Sequence, residues 1–388
     1  MNTKTILLAG LAAIVFASCQ KDDKDPAPVQ KIPYTSLTAT TNYFTTFQGP
    51  DSLSSVDFSG QTTRISMMKE IDAYMKTGIN ASIQASKLND MFNNQNSAFN
   101  SANLNAATDK TIVSKTAQSF GGSQAETERQ RFRGWFDSLE MASINHGQQA
   151  QQGMAGVLDG KYLVDAKGFE YGQFIQKGLI GAMMLDQISN IYLGAEKQNA
   201  DNSTIITDKN YTALEHHWDE AYGYLTSNEF FPKTDPNDNT KYLESYLGGY
   251  VRQVKAPYGN PADVYMSFLK GRAAIVNNDM STRDEQISSI RAALEKSIAV
   301  IAVSYLNKAK TASTDGGRFH ALSEGVGFIY ALRFAHNAKI DHEKSNELLD
   351  NLLTKPNGFW SLTPGDLDAV RNVVADAFSI ERNAVVNH

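Results

Sequence analysis

Apolar side chains recur every three to four positions over long tracts of this chain. In Ile65-Ser-Met-Met68-Lys-Glu-Ile71-Asp-Ala-Tyr74-Met75 they trace one buried face of a helix that Gly78 is placed to end. The same period returns around Trp135, Leu139 and Ile144, from Phe169 to Leu193, and from Tyr211 to Leu225, where Asp208 is the expected N-cap. Further helices are predicted at 262–277, 283–306, 317–338, 342–353 and 364–378, the last two opening near Asp341 and at Thr363-Pro364. Residues 93–124 are rich in Asn, Ser, Ala and Gln and read as loops with short helical pieces that add little to the core. Strand signals are weak, and no Asp-Gly or Asn-Gly pair is read as a hairpin turn. The pattern therefore predicts an all-α fold.

The prolines agree, because all ten avoid 51–231 and 262–355, the tracts where helices are expected. The clearest breaks are Phe231–Thr240 and Ala256–Pro261, so the helices fall into two halves split near 232–261. Across 388 residues, 41% hydrophobic and 20% charged side chains are ordinary for a folded globular protein. With 36 Lys and Arg against 42 Asp and Glu, and no basic stripe, the chain lacks the footprint of a nucleic-acid binder. A single cysteine excludes an intrachain disulfide and a cysteine metal cluster.

That cysteine has its own explanation. The apolar run Ile6 to Phe16 follows Lys4 and is too short to span a membrane but suits a signal peptide. Val15-Phe16-Ala17-Ser18-Cys19 then resembles a bacterial lipobox, which predicts removal of 1–18 and lipidation of Cys19. The charged, Pro-containing stretch 19–33 reads as a flexible tether, and its Lys followed by acidic residues resembles the surface-export signal of Bacteroidota lipoproteins. The expectation is an outer-membrane lipoprotein, held by its lipid anchor and exposed at the surface or facing the periplasm, with 34–388 as the folded domain.

Several chemistries are excluded. His342-Glu343 opens a zincin-like pattern, but Asn346 stands where the second His is required. There is no phosphate-cradling Gly-rich loop and no nucleophile elbow, and Gly325-Val-Gly327 ends in Tyr330 where a dinucleotide fingerprint needs Gly. Asp235-Pro-Asn237-Asp-Asn239 starts like a calcium loop but has Thr240 and Tyr246 at the positions that need Gly and Glu.

The constellation that remains is Glu215-His216-His217-Trp218-Asp219-Glu220 on a predicted helix. Glu220 lies about 40° around that helix from His216 and about 60° from His217, so either imidazole can share its face and bind a metal ion. His, Glu at +4, Gly at +7 and an aromatic at +8 then recur from His320 through Glu324 and Gly327 to Phe328. This repeat suggests two pseudo-repeated halves. The metal-ligand set expected is His217 and Glu220, with His216 as the alternative imidazole and Glu324 or His320 contributed by the other half to a polar pocket where the halves meet. Binding through a neutral imidazole should weaken below about pH 6. Asp219 or Glu215 offers a general base for a hydrolase, Asp186 and Glu140 extra carboxylates, and Arg272 and Arg333 an anion clamp or structural ion pairs. Met183-Met184-Leu185 reads as core, and His146, His336 and His342 as solvent-facing or capping residues.

At these residues the chain resembles the imelysin-like superfamily, and more closely its Bacteroidota branch, domain of unknown function 4856. The hallmark there is Gly-x-His-x-x-Glu; His217-Trp-Asp-Glu220 matches its second part, while Glu215 occupies the Gly position. The resemblance covers 34–388. It implies a two-part helical bundle, an envelope location and a connection with iron acquisition, with iron or another divalent metal as the cofactor. Three functions compete: a lipoprotein that binds a metal ion or chelate without turnover, a metal-dependent peptidase or other hydrolase, and a partner-binding module of an outer-membrane transporter.

Overall fold

The computed structural model describes residues 31–233 and 244–386. Cys19 with its flanking segments, and the calcium-like stretch at 235–240, lie outside the described residues. In chain order the helices are α1 (Tyr43–Thr46), α2 (Ser59–Thr77), α3 (Ala85–Asn93), α4 (Ala102–Ala106), α5 (Gly122–Ser143), α6 (Tyr171–Leu179), α7 (Ala195–Gln198), α8 (Ala213–Leu225), α9 (Tyr246–Gln253), α10 (Pro261–Val276), α11 (Met280–Thr311), α12 (Asp315–Leu332), α13 (His342–Leu353) and α14 (Pro364–Ala377). The fold is all-α apart from one small hairpin, β1 (Gly156–Leu158) and β2 (Tyr162–Val164), paired antiparallel.

Caps explain the sharper helix boundaries. Thr212 and Glu215 form a reciprocal capping box at the start of α8, which replaces the expected Asp208. Asp341 caps α13, and Thr363 with Asp366 closes a second box at α14, with Pro364 in its first turn. The hairpin departs from expectation. Asp159-Gly160 takes positive φ at both residues, 51° and 69°, and joins Val157-Leu158 to Tyr162-Leu-Val164, so the turn signal was present in the sequence.

Two elements organise the interior. α6 continues through π-helical turns at Ile180–Leu185 and Gln187–Tyr192, and Ile180 to Leu185 is buried throughout, as expected of Met183-Met184-Leu185. α12 is buried at every residue from Ala321 to Leu332, and apart from Ser323 and Glu324 that stretch is without strongly polar side chains, as a helix deep in the interior requires. It packs against α11, α13 and α6, while α8 packs against α10, α2 and the π-helical turns that follow α6. Helices from before and after 234–243 are thus interleaved. The connecting region 93–124 also contributes Phe99, Leu104, Ile112 and Ala117 to the core, more than its composition suggests.

Candidate functional site

Both copies of the His/Glu pattern are helical, and in both the carboxylate faces its imidazole. His216 Nε2 lies 3.8 Å from Glu220 Oε2 on α8, and His320 Nε2 lies 3.6 Å from Glu324 Oε2 on α12. Each imidazole is stacked on a tyrosine, His216 on Tyr211 at 4.7 Å and His320 on Tyr162 at 4.6 Å. Each glycine at +7 marks a close helix approach: a Cβ on Gly223 would come within 2.5 Å of Phe58 Cβ, and one on Gly327 within 2.5 Å of Lys177 Cβ.

The partners of the two carboxylates differ. Glu220 Oε1 accepts from Gln61 Nε2 (2.9 Å) and Tyr192 OH (3.0 Å), both neutral donors. Glu324 Oε1 instead meets the ammonium of Lys177 at 2.9 Å and the hydroxyl of Tyr250 at 3.3 Å. Lys177 is almost fully buried, and it also donates to Gln173 and Gln176. Burial alone would lower the pKa of Lys177, but Tyr250 and Glu324 overcome it and hold the amine above its ordinary range. Burial would likewise raise Glu324, yet Lys177 and His320 hold its carboxyl below the usual value.

The imidazoles also diverge. His217 donates through Nδ1 to the Lys197 carbonyl (3.0 Å), and burial pushes its pKa down, so it is held neutral. His320 donates through Nδ1 to Glu170 Oε2 (2.7 Å), and this pairing overcomes burial and raises its pKa. His217 is therefore turned to a backbone carbonyl, and His216, not His217, is the imidazole that faces Glu220.

The expected single pocket does not form, for a geometric reason. Glu324 is tied to Lys177 in α6, and Glu220 to Tyr192 at the end of the π-helical turns that continue it. Fifteen residues of helix at about 1.5 Å each set those anchors roughly 20 Å apart. The two clusters lie at opposite ends of one helix. Among the described residues, no group of three His, Cys, Asp or Glu side chains converges as metal ligands do. A bare metal centre built from this chain alone calls for at least three such donors, and the residues as placed do not fit it.

The remaining sequence candidates have structural partners. Asp219 is fully buried, accepting from Tyr43 OH (2.8 Å) and Arg272 Nε (3.0 Å); burial pushes its carboxyl up to about 7 against the pull of Arg272. Glu215 takes a second arm of Arg272 at 2.8 Å while closing its capping box. Neither carboxylate has a hydrogen bond to an imidazole among the described residues. Arg333 binds Glu128 in a second network that also includes Tyr330 and His342; His342, at the start of α13, pairs with Glu128 while its side chain stays partly exposed. Asp186 accepts from Ser119 and Asn190, Glu140 from the backbone N–H at the start of α3. His146 and His336 reach a backbone carbonyl and Asn190.

The α12 cluster opens into a cleft. Tyr250, Tyr305, Lys308, Gly317, His320 and Glu324 line a space of about 480 Å³, within the range of small-molecule sites. Tyr162, Glu170, Lys177 and Lys308 were not singled out from the sequence. Lys177 had a signal, since it is a lone cation in the apolar run from Phe169 to Leu185.

A family model described as Domain of unknown function (DUF4856) matches residues 44–381. The chain belongs to this family. The match takes in both His/Glu clusters of this DUF4856 domain, the hairpin and all fourteen helices except the first residue of α1. No curated protein and no solved structure matches the chain.

Proposed function

We propose that this protein is a lipid-anchored envelope protein that binds a metal chelate without turning it over, with the cleft above Glu324 as the site. The observation that carries the reading is the cleft itself: an imidazole held between two carboxylates, a floor formed by a buried ion pair, and tyrosines along the wall. Such a site gives a chelate one imidazole edge, hydroxyls and aromatic faces. A chelate brings most of its own metal donors, so it needs fewer from the protein than a bare ion does. The iron connection rests on the imelysin-like resemblance at His217-Trp-Asp-Glu220, and the outer-membrane location on the lipobox at Cys19. Among the described residues no helix is long and apolar enough to cross a membrane.

The test is reconstitution of the mature chain with ferric citrate, removal of excess by gel filtration, and elemental analysis. Retention of about one iron per chain supports the reading. Background iron in wild type contradicts it, and a partner-binding module serving an outer-membrane transporter then replaces it. A Cys19→Ala protein that still fractionates with the membrane would contradict the anchor.

A further inference from the structure

Three of the six large apolar side chains exposed among the described residues, Leu53, Ile205 and Ile206, stand on two neighbouring loops, 49–54 and 201–210. Leu53 is 66% exposed and the two isoleucines 38% each. Asn210 fastens the loops together. Its amide donates to the Leu53 and Ser54 carbonyls at 3.4 and 2.7 Å, and a Cβ on Gly49 would meet the Asn210 carbonyl oxygen at 2.4 Å. The Ile206 N–H donates to the Tyr211 carbonyl at 3.0 Å and closes the second loop on itself. Hydrogen-bonded backbone thus holds aliphatic surface out in water, which is unfavourable unless something apolar covers it.

The same end of the molecule receives the chain from its N-terminus. Ile32 exchanges two hydrogen bonds with the Asn277 side chain, 2.9 Å each, and Tyr34 OH donates to Asp279 at 2.8 Å. Between these two, Asn278 accepts from the Asn202 amide at 2.8 Å, and that amide also donates to the Ile275 carbonyl. The turn between α10 and α11 therefore fixes both the first residues after the tether and the base of the loop that carries Ile205 and Ile206. The thirteen peptide steps from Cys19 to Ile32 span at most about 45 Å. A chain lipidated at Cys19 is tied to its membrane at this end.

We infer that Leu53, Ile205 and Ile206 rest in the lipid leaflet that holds the Cys19 acyl chains, as a second contact that orients the domain. The inference rests on the lipid anchor proposed above and goes beyond it, since a lipid on a tether leaves the orientation of the domain open. Tethering holds the loops at high local concentration beside the bilayer, so three aliphatic side chains suffice where a free protein would need a larger patch. Charge on the two loops points to the kind of surface. Asp51, Asp201 and Asp208 stand there with Lys209, and Lys209 is itself paired with Asp57 at 3.6 Å. The contact is aliphatic burial and not attraction to anionic headgroups, so a zwitterionic bilayer fits it.

The experiment couples the mature chain through the thiol of Cys19, its single cysteine, to maleimide lipid in phosphatidylcholine vesicles. Hydrogen–deuterium exchange is then compared with the same chain, thiol blocked, in the presence of the same vesicles. Coupling should slow exchange at 50–54 and 203–208 and leave the exposed Met141 and Ile144, beside the start of α6, unchanged. The combined variant Leu53→Ser, Ile205→Ser, Ile206→Ser should lose the slowing while its exchange elsewhere stays that of wild type. No slowing at either loop, equal slowing at 141–144, or slowing that survives in the variant would each overturn the inference. Slowing in the blocked chain that grows with protein concentration would assign the loops to a second copy and overturn it as well. The anchor itself is read separately, from the mass of the N-terminal peptide isolated from cells. An unmodified Cys19 there sinks the anchor reading and leaves the vesicle result to decide whether these loops meet lipid.

Discussion

The α8 and α12 clusters share a motif, an imidazole-to-carboxylate distance near 3.7 Å and a stacked tyrosine, yet their carboxylates are paired differently. The difference comes from the facing element. α2 offers Gln61 and the π-helical turns offer Tyr192, so Glu220 is satisfied by neutral donors. α6 offers a buried ammonium, so Glu324 is half of a buried ion pair at the edge of the cleft. The second arrangement lines a cleft of about 480 Å³. A residue pattern on one helix therefore specifies a local geometry, while the helix packed against it decides the charge.

The largest effect expected follows from that contrast. Lys177→Met leaves Glu324 buried without its counter-charge and should cost about 3–5 kcal/mol of unfolding free energy. Adding Glu324→Leu should restore most of it, since a buried pair replaced as a whole is often neutral. In the α8 cluster, Gln61→Leu removes one neutral donor from a carboxylate that keeps Tyr192 and some solvent, and should cost only about 1 kcal/mol. Denaturant unfolding of the four proteins checks both. Equal losses for Lys177→Met and Gln61→Leu would break the comparison.

Next in size are the glycines. Gly223→Ala and Gly327→Ala each push a methyl into a space already occupied at 2.5 Å, costing about 1–3 kcal/mol. They should differ in binding. Gly327→Ala displaces Lys177 and should disturb ligand affinity at the cleft, whereas Gly223→Ala presses on Phe58 and should leave it alone.

The smallest effect has opposite signs in the two clusters. The folded pKa of His320 is raised, so its contribution to stability is complete below the unfolded value near 6.5 and is lost as pH rises through the folded value. The folded pKa of His217 is lowered, so its contribution is present above the unfolded value and lost as pH falls through the folded one. Thermal melts between pH 5 and 9 should show that His320→Ala removes part of the alkaline decline and His217→Ala part of the acid decline. Identical profiles for the two variants would contradict the assignment.

Much of the fold was legible because it depends on local signals. The period at Ile65–Met75, the caps at Asp341 and Thr363, and the proline-free tracts all act within a few residues. The pairing of His with Glu at +4 was legible for the same reason. What was not legible depends on packing over long distances: Glu170 reaches His320 across 150 positions, and Tyr250 reaches Glu324 across 74. His217 was preferred to His216 because His217-Trp-Asp-Glu220 matches the His-x-x-Glu of the resemblance, although the helical angle to Glu220 is smaller for His216; the Lys197 carbonyl that claims His217 arrives from the separate helix α7. The hairpin is also encoded locally, by Asp159-Gly160 between strands that contain Val157 and Val164.

The central claim is that the α12 cluster, not the α8 cluster, is the binding site. Its most direct test is iron retention after ferric citrate reconstitution, compared among wild type, His320→Ala and His216→Ala at pH 6.5, with circular dichroism to confirm folding. The account predicts that His320→Ala loses most of the retained iron while His216→Ala keeps the wild-type amount. Loss in His216→Ala with retention in His320→Ala would contradict it and return the site to α8.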